Sequence, residues 1–180
     1  MKLTLLPIFA ALAAAGNQTL FPFEVIANAP GTPVDRLRLA ASNLSFSLGG
    51  QTTTFCPLQD GCPPGNHTVI DASGGALDVI VPGGQRIFIN PAGAVSFTQA
   101  HSTFIPPGST LGPFFQSQGV WHFRGPGAFD FMACPTPSRI WQVFAAQRNV
   151  TVPLGNVTAC VRFVAVVIPF LTGPGAFQYV

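Results

Sequence analysis

Residues 74–102, GGALDVIVPGGQRIFINPAGAVSFTQAHS, decide how the whole chain is read. Three short apolar runs, at 77–81, 87–89 and 95–97, are separated by Pro82-Gly83-Gly84 and by Asn90-Pro91-Ala92-Gly93. Brief runs rich in β-branched and aromatic residues, punctuated by glycine and proline, are the pattern of a β-meander. The device recurs. Gly-Ala followed by alternating apolar residues stands at Gly75-Ala76, Gly93-Ala94, Gly127-Ala128 and Gly175-Ala176, spaced 18, 34 and 48 residues apart. Unequal spacing argues against a solenoid or propeller of fixed period, and for one hairpin device reused around a single core. Glycine supplies the positive φ of the turn, and alternation then sends Leu77, Val79, Val95, Phe97, Phe129 and Phe131 to one face.

Working outward, strands are expected at 20–27 (LFPFEVIA), 36–40 (RLRLA), 44–48 (LSFSL), 52–55 and 86–89. Pro22 places the start of the first at an edge, since proline cannot donate to a ladder. Prolines at 106, 107 and 113 make residues 105–113 a long surface loop. Beyond it, 120–123 and 129–133 read as a hairpin across Gly125-Pro126-Gly127, and 140–145 as a further strand. Residues 158–168 (TACVRFVAVVI) are long and apolar enough to lie centrally. No window after the amino terminus carries a 3.6-residue apolar stripe, and glycine plus proline make up 37 of 180 residues. The expected fold is therefore all-β, a compact antiparallel sandwich or barrel of ten to twelve strands with almost no helix. A β-trefoil is the alternative, because the turns at Gly49-Gly50-Gln51 and Gly83-Gly84-Gln85 lie 34 residues apart.

Residues 1–15, MKLTLLPIFAALAAA, join one cation to an apolar run ending in small residues, the plan of a cleavable secretory signal. A membrane anchor needs roughly 20 apolar residues, and Gly16-Asn17-Gln18-Thr19 interrupts too soon. Residues 16–180 are then expected to form a single all-β domain, secreted and free of membrane after cleavage. Lys2 is the only lysine, so the processed chain sets seven arginines against six carboxylates. With no basic run, a nucleic-acid partner is not expected.

Charged residues are 8% of the chain, against roughly a quarter in ordinary soluble domains, so something else must keep the surface wet. Five N-glycosylation sequons, at Asn17, Asn43, Asn66, Asn149 and Asn156, supply a candidate. Four cysteines in an oxidising compartment favour disulfides over metal or catalysis. Three pairings are open. Spacing favours Cys56 with Cys62, around a turn-rich loop, and Cys134 with Cys160, around a strand and a glycosylated loop. Zinc is disfavoured by the Cys-x5-Cys spacing and by the lack of a histidine in register. No metal or other cofactor is expected.

Acyl transfer needs a nucleophile held by a base, and only Ala100-His101-Ser102 suggests one; no Gly-x-Ser-x-Gly elbow accompanies it. A hydrolase is accordingly the least favoured reading. Glycoside hydrolysis needs two carboxylates at a fixed separation, but Asp78 and Asp130 fall in the polar phase of alternating strands, where solvent-facing positions are expected. Loss of Lys2 excludes Schiff-base chemistry, and a Walker loop is absent. Trp121 and Trp141, with His101, are the candidate binding residues for a lectin-like module directed at wall polysaccharide, although both tryptophans lie in apolar runs where core packing competes.

Several phrases together resemble a family of secreted fungal IgE-binding antigens related to the cell-wall protein of phialide and conidium development. They are Thr54-Phe55-Cys56-Pro57 with Cys62, the run from Val81-Pro82-Gly83-Gly84-Gln85 to Gln99-Ala100-His101-Ser102, Ala133-Cys134-Pro135 with Trp141-Gln142-Val143-Phe144, and Asn156-Val157-Thr158-Ala159-Cys160. The resemblance spans nearly all of the processed chain. It implies an extracellular or wall-associated fungal glycoprotein without catalytic activity, antigenic, with a wall or developmental role.

Overall fold

A computed structural model describes residues 20–180; the expected leader at 1–15 and the sequon at Asn17 lie outside the described residues. In chain order the strands are β1 (Phe23–Asn28), β2 (Leu39–Ser42), β3 (Ser45–Leu48), β4 (Thr54–Phe55), β5 (Ala76–Leu77), β6 (Gln85–Ile89), β7 (Val95–Phe97), β8 (Phe114–Ser117), β9 (Val120–Gly125), β10 (Ala128–Phe129), β11 (Phe131–Pro135), β12 (Trp141–Ala145), β13 (Val161–Pro169) and β14 (Gln178–Tyr179). A single 3-10 turn, Val157–Ala159, is the one helical element among the described residues.

The all-β expectation holds. Twelve strands form one antiparallel sheet, curled into a half-barrel, while β4 and β14 pair beside it. The main path runs β10-β9-β13-β11-β12-β3-β7-β6-β5, with β1, β2 and β8 attached to β13, β3 and β9. β13 is an interior strand with one face on the core: its first third pairs with β11, and the remainder with β1 along six residues, while Arg162 and Val164 face outward. Single-residue bridges from Ile70 to Phe23 and to Leu77 draw the β5 end back toward β1. The curl therefore nearly returns on itself, the barrel form of the expectation rather than a threefold trefoil.

The meander of residues 74–102 is realised as β5, β6 and β7, with Ile87 opposite Phe97 and Ile89 opposite Val95. Gly93 closes its second turn at φ +89°, and a Cβ there would lie 2.4 Å from Val150 Cγ1, so only glycine fits. All four Gly-Ala repeats sit where the chain enters a strand or its approach. The main core packs Phe23, Phe46, Ile70, Phe97, Trp121, Phe123, Phe131 and Tyr179, each buried. A smaller cluster of Ala94, Met132, Cys134, Phe144 and Val152 lies apart from it, where residues 146–160 pack back on the sheet. The disulfide from Cys134 to Cys160 ties that segment down, and Cys56 pairs with Cys62, both as expected.

Three local expectations are corrected. Residues 36–40 do not form a strand from their start, because Arg36 is left-handed at φ +62° and donates its N–H to Ala27 O in a turn; Arg38 then makes a single bridge to Ile26, and the continuous strand begins at Leu39. Phe129 is not core but about half exposed: Asp130, at φ +58°, breaks the alternation between Phe129 and Phe131 and hands the chain from the β9–β10 hairpin to β11, which pairs with β12 and β13. The last long strand starts at Val161, since Asn156 turns the preceding residues by accepting the N–H of Thr158.

Candidate functional site: a neutral surface groove

Local geometry first separates the sequence candidates. Trp121 is 1% exposed; its indole packs in a cluster with Phe114 and Phe131, and its Nε1–H donates to Gly74 O at 2.9 Å. Neither face is free for a sugar, so the core role wins. Trp141 is half-buried, pairing with Pro135 and Leu48 and packing against the edge of the core. His101 is exposed on the turn closed by Ser102 N–H to Gln99 O, at φ +61°. His101 borders a shallow depression whose lining includes neither tryptophan.

Nor is His101 built as a base. Among the described residues it makes no side-chain hydrogen bond or ion pair, and the adjacent Ser102 Oγ accepts from Phe104 N–H at 3.1 Å. The two carboxylates expected to face solvent are instead employed. Asp78 Oδ2 accepts the N–H of Gly175 at 3.1 Å and is half-buried; desolvation raises its pKa from the ordinary aspartate value. Asp130 Oδ1 accepts from His122 Nδ1 at 2.9 Å, beside an Arg124 guanidinium that lies over the rings of Phe115 and Phe129. Glu24 likewise pairs with Arg38 Nη1 and is in hydrogen-bond contact with His67 Nδ1. Among the described residues, no three His, Cys, Asp or Glu side chains are grouped so as to hold a metal ion.

What the fold does assemble is a groove of about 430 Å³ on the outer face of β3, β6, β7 and β12. Strand alternation builds its floor: Ile87 and Ile89 enter the core, so Phe88 between them points outward, yet it is 5% exposed beneath the 98–113 loop. The walls carry carboxamides from Asn43, Asn90, Gln99 and Gln142 and hydroxyls from Ser45, Ser96, Thr98 and Ser102. Some of these are already used. Asn90 Oδ1 accepts from the Ala92 and Ala94 amides, and Thr98 Oγ1 accepts from Arg86 N–H. Gln99 and Gln142 make no side-chain hydrogen bond among the described residues, and Phe104, 70% exposed, stands at the rim. No charged side chain lines this groove.

A ridge separates it from a second depression. Asn43 and Leu44 form the two-residue turn between β2 and β3, both with positive φ, +50° and +56°, the type I′ geometry that matches strand twist. The far side of that ridge is lined by His101, Gln178 and Val180, with Asn43, Leu44 and Gln99 shared by both depressions. Sequence reasoning missed Phe104, Gln99 and Gln142. A phenylalanine in a proline-rich loop is the one local signal that could have flagged the first of them, because loops at the surface carry recognition residues.

Fold and site together define a cystine-braced β-domain bearing a solvent-facing groove that is polar without being charged. The chain belongs to the PhiA-like secreted protein family, whose model matches residues 23–180. It is similar to an uncharacterized secreted protein of Arthroderma benhamiae, 46% identical over 166 residues that cover 87% of this chain and 85% of the relative. No solved structure matches it.

Proposed function

We propose that this secreted protein is a non-catalytic, N-glycosylated constituent of the fungal cell wall and its surroundings, with wall polysaccharide as its neighbour and with surface loops accessible to antibodies, IgE among them. The carrying observation is that all four described sequon asparagines, Asn43, Asn66, Asn149 and Asn156, are exposed, three of them on loops and Asn43 on a hairpin turn. Glycans there supply the hydration that so weakly charged a chain lacks, beside exposed Leu20, Phe55, Phe104, Leu111 and Leu171. Family membership and the secreted relative support the same compartment. The test is fractionation of a fungal culture producing the protein. Recovery from medium and wall extract, as a form whose mobility increases after endoglycosidase treatment, supports the reading. Recovery from cytosol as a single unshifted band contradicts it.

A further inference from the structure

We infer that the groove between the Asn43-Leu44 turn and Phe104 binds a neutral glycan chain, and that N-glycosylation of Asn43 closes it. The identity of the ligand rests on the wall-polysaccharide reading above; the location of the site does not.

The chemistry of the lining selects the class. An uncharged hexose presents equatorial hydroxyls, each both donor and acceptor, and flat C–H faces. Carboxamides match the hydroxyls because one group offers both donors and an acceptor, and an exposed aromatic ring matches the apolar face. Gln99 and Gln142 keep their full complement of unpaired donors and acceptors, and Phe104 offers most of its ring at the rim. An anionic ligand would meet no cation in this lining, and a cationic one no carboxylate. The volume of about 430 Å³ lies within the ~300–1,000 Å³ range of small-ligand clefts. Being open at its sides, the groove suits a length of chain passing across it rather than an enclosed monosaccharide.

The turn gives the regulatory half. Asn43 is exposed at the crest of the ridge, its left-handed backbone holds it away from the β2–β3 ladder, and both depressions border it. Ser45, the hydroxyl residue of the same sequon, lines the groove. A glycan attached at Asn43 therefore starts at the mouth of the site, and its own neutral sugars occupy the surface that an external chain would use.

The test compares the full secreted chain with Asn43→Gly, which suits the positive φ while abolishing the sequon, and with Phe104→Ala and Gln142→Ala placed in that background. The probes are insoluble β-1,3-glucan and chitin for pull-down, and the corresponding hexaoses for calorimetry. N43G is expected to bind at least one polymer about tenfold more tightly than the glycosylated parent, and F104A to lose about tenfold of that gain. Thermal melting within a degree or two of the parent checks that F104A, an exposed position, still folds. Equal binding by parent, N43G and F104A overturns the inference while leaving the wall assignment standing; so does wall-fraction recovery with no binding of any probe by N43G. Loss of wall association with groove-dependent binding intact overturns the wall assignment alone.

Discussion

Gln85 and Tyr179 hold one another by reciprocal hydrogen bonds: Tyr179 N–H donates to Gln85 Oε1 at 2.7 Å, and Gln85 Nε2 donates to Tyr179 O at 2.9 Å. Both residues are 1% exposed, and the same Gln85 amide also donates to Thr98 O at 3.0 Å. Tyr179 is thus fastened to the start of β6, and through Thr98 to the loop that forms the groove. Replacing Gln85 by Leu leaves three buried backbone groups without partners. At ~1–3 kcal/mol for each, partly relieved by relaxation, the expected loss is about 3 kcal/mol in urea unfolding. Phe104→Ala, at an exposed site, should stay within about 0.5 kcal/mol of the parent.

The Tyr179 hydroxyl donates to His67 O and accepts Val69 N–H, both at 2.9 Å, and burial pushes its pKa upward. A phenol whose folded pKa exceeds its unfolded value near 10 contributes stability that is complete below that pH and falls away as pH rises beyond it. Thermal melting of the parent should therefore decline above about pH 10. Tyr179→Phe should cost about 1–2 kcal/mol at neutral pH and remove this part of the alkaline decline.

Asp78 is shifted in the same direction, with its consequence at acid pH. Burial raises its folded pKa above 3.8, outweighing the hydrogen bond from Gly175. Its contribution to stability is complete below the unfolded pKa and is lost as pH rises through the folded one. Asp78→Asn keeps an acceptor for Gly175 without the buried charge. The variant should melt above the parent at neutral pH, and the difference should shrink as pH falls toward 4. A parent and variant with parallel melting curves across that window would show that the carboxylate is not penalised.

The two disulfides should differ in worth. Closing a separation of 26 residues, Cys134–Cys160 is worth about 3.5 kcal/mol in the chain-entropy model, against about 2 kcal/mol for the separation of 6 at Cys56–Cys62. Cys134 is also fully buried in the smaller core. Paired Cys→Ala substitutions should show the larger drop in unfolding midpoint at 134 and 160, together with faster proteolysis in residues 146–160.

Much of the fold was legible because its signals are local. Gly83-Gly84 and Asn90-Pro91-Ala92-Gly93 mark real turns, and β-branched alternation marks β6, β7, β12 and β13. The errors also have local causes: Arg36 and Asp130 adopt positive φ without being glycine, which no alternation pattern reports. Even cysteine pairing followed from loop lengths. The candidate site was far less legible. Trp121 and Trp141 carry the same aromatic signal, and only tertiary packing buries the first while leaving the second at a core edge. The groove draws Asn43, Phe88, Gln99, Phe104 and Gln142 from separate segments brought together by long-range strand pairing. Hydrophobic periodicity says which side of a strand faces the core, but not which outward-facing residues become neighbours.

The secreted-glycoprotein assignment is tested most directly by intact-mass and glycopeptide measurement on the protein purified from fungal culture medium and wall extract. A chain beginning after the 1–15 leader, with hexose-bearing peptides at the exposed Asn43, Asn66, Asn149 and Asn156, is the result predicted. An unprocessed chain beginning at Met1, with all four of these asparagines unmodified, would contradict it.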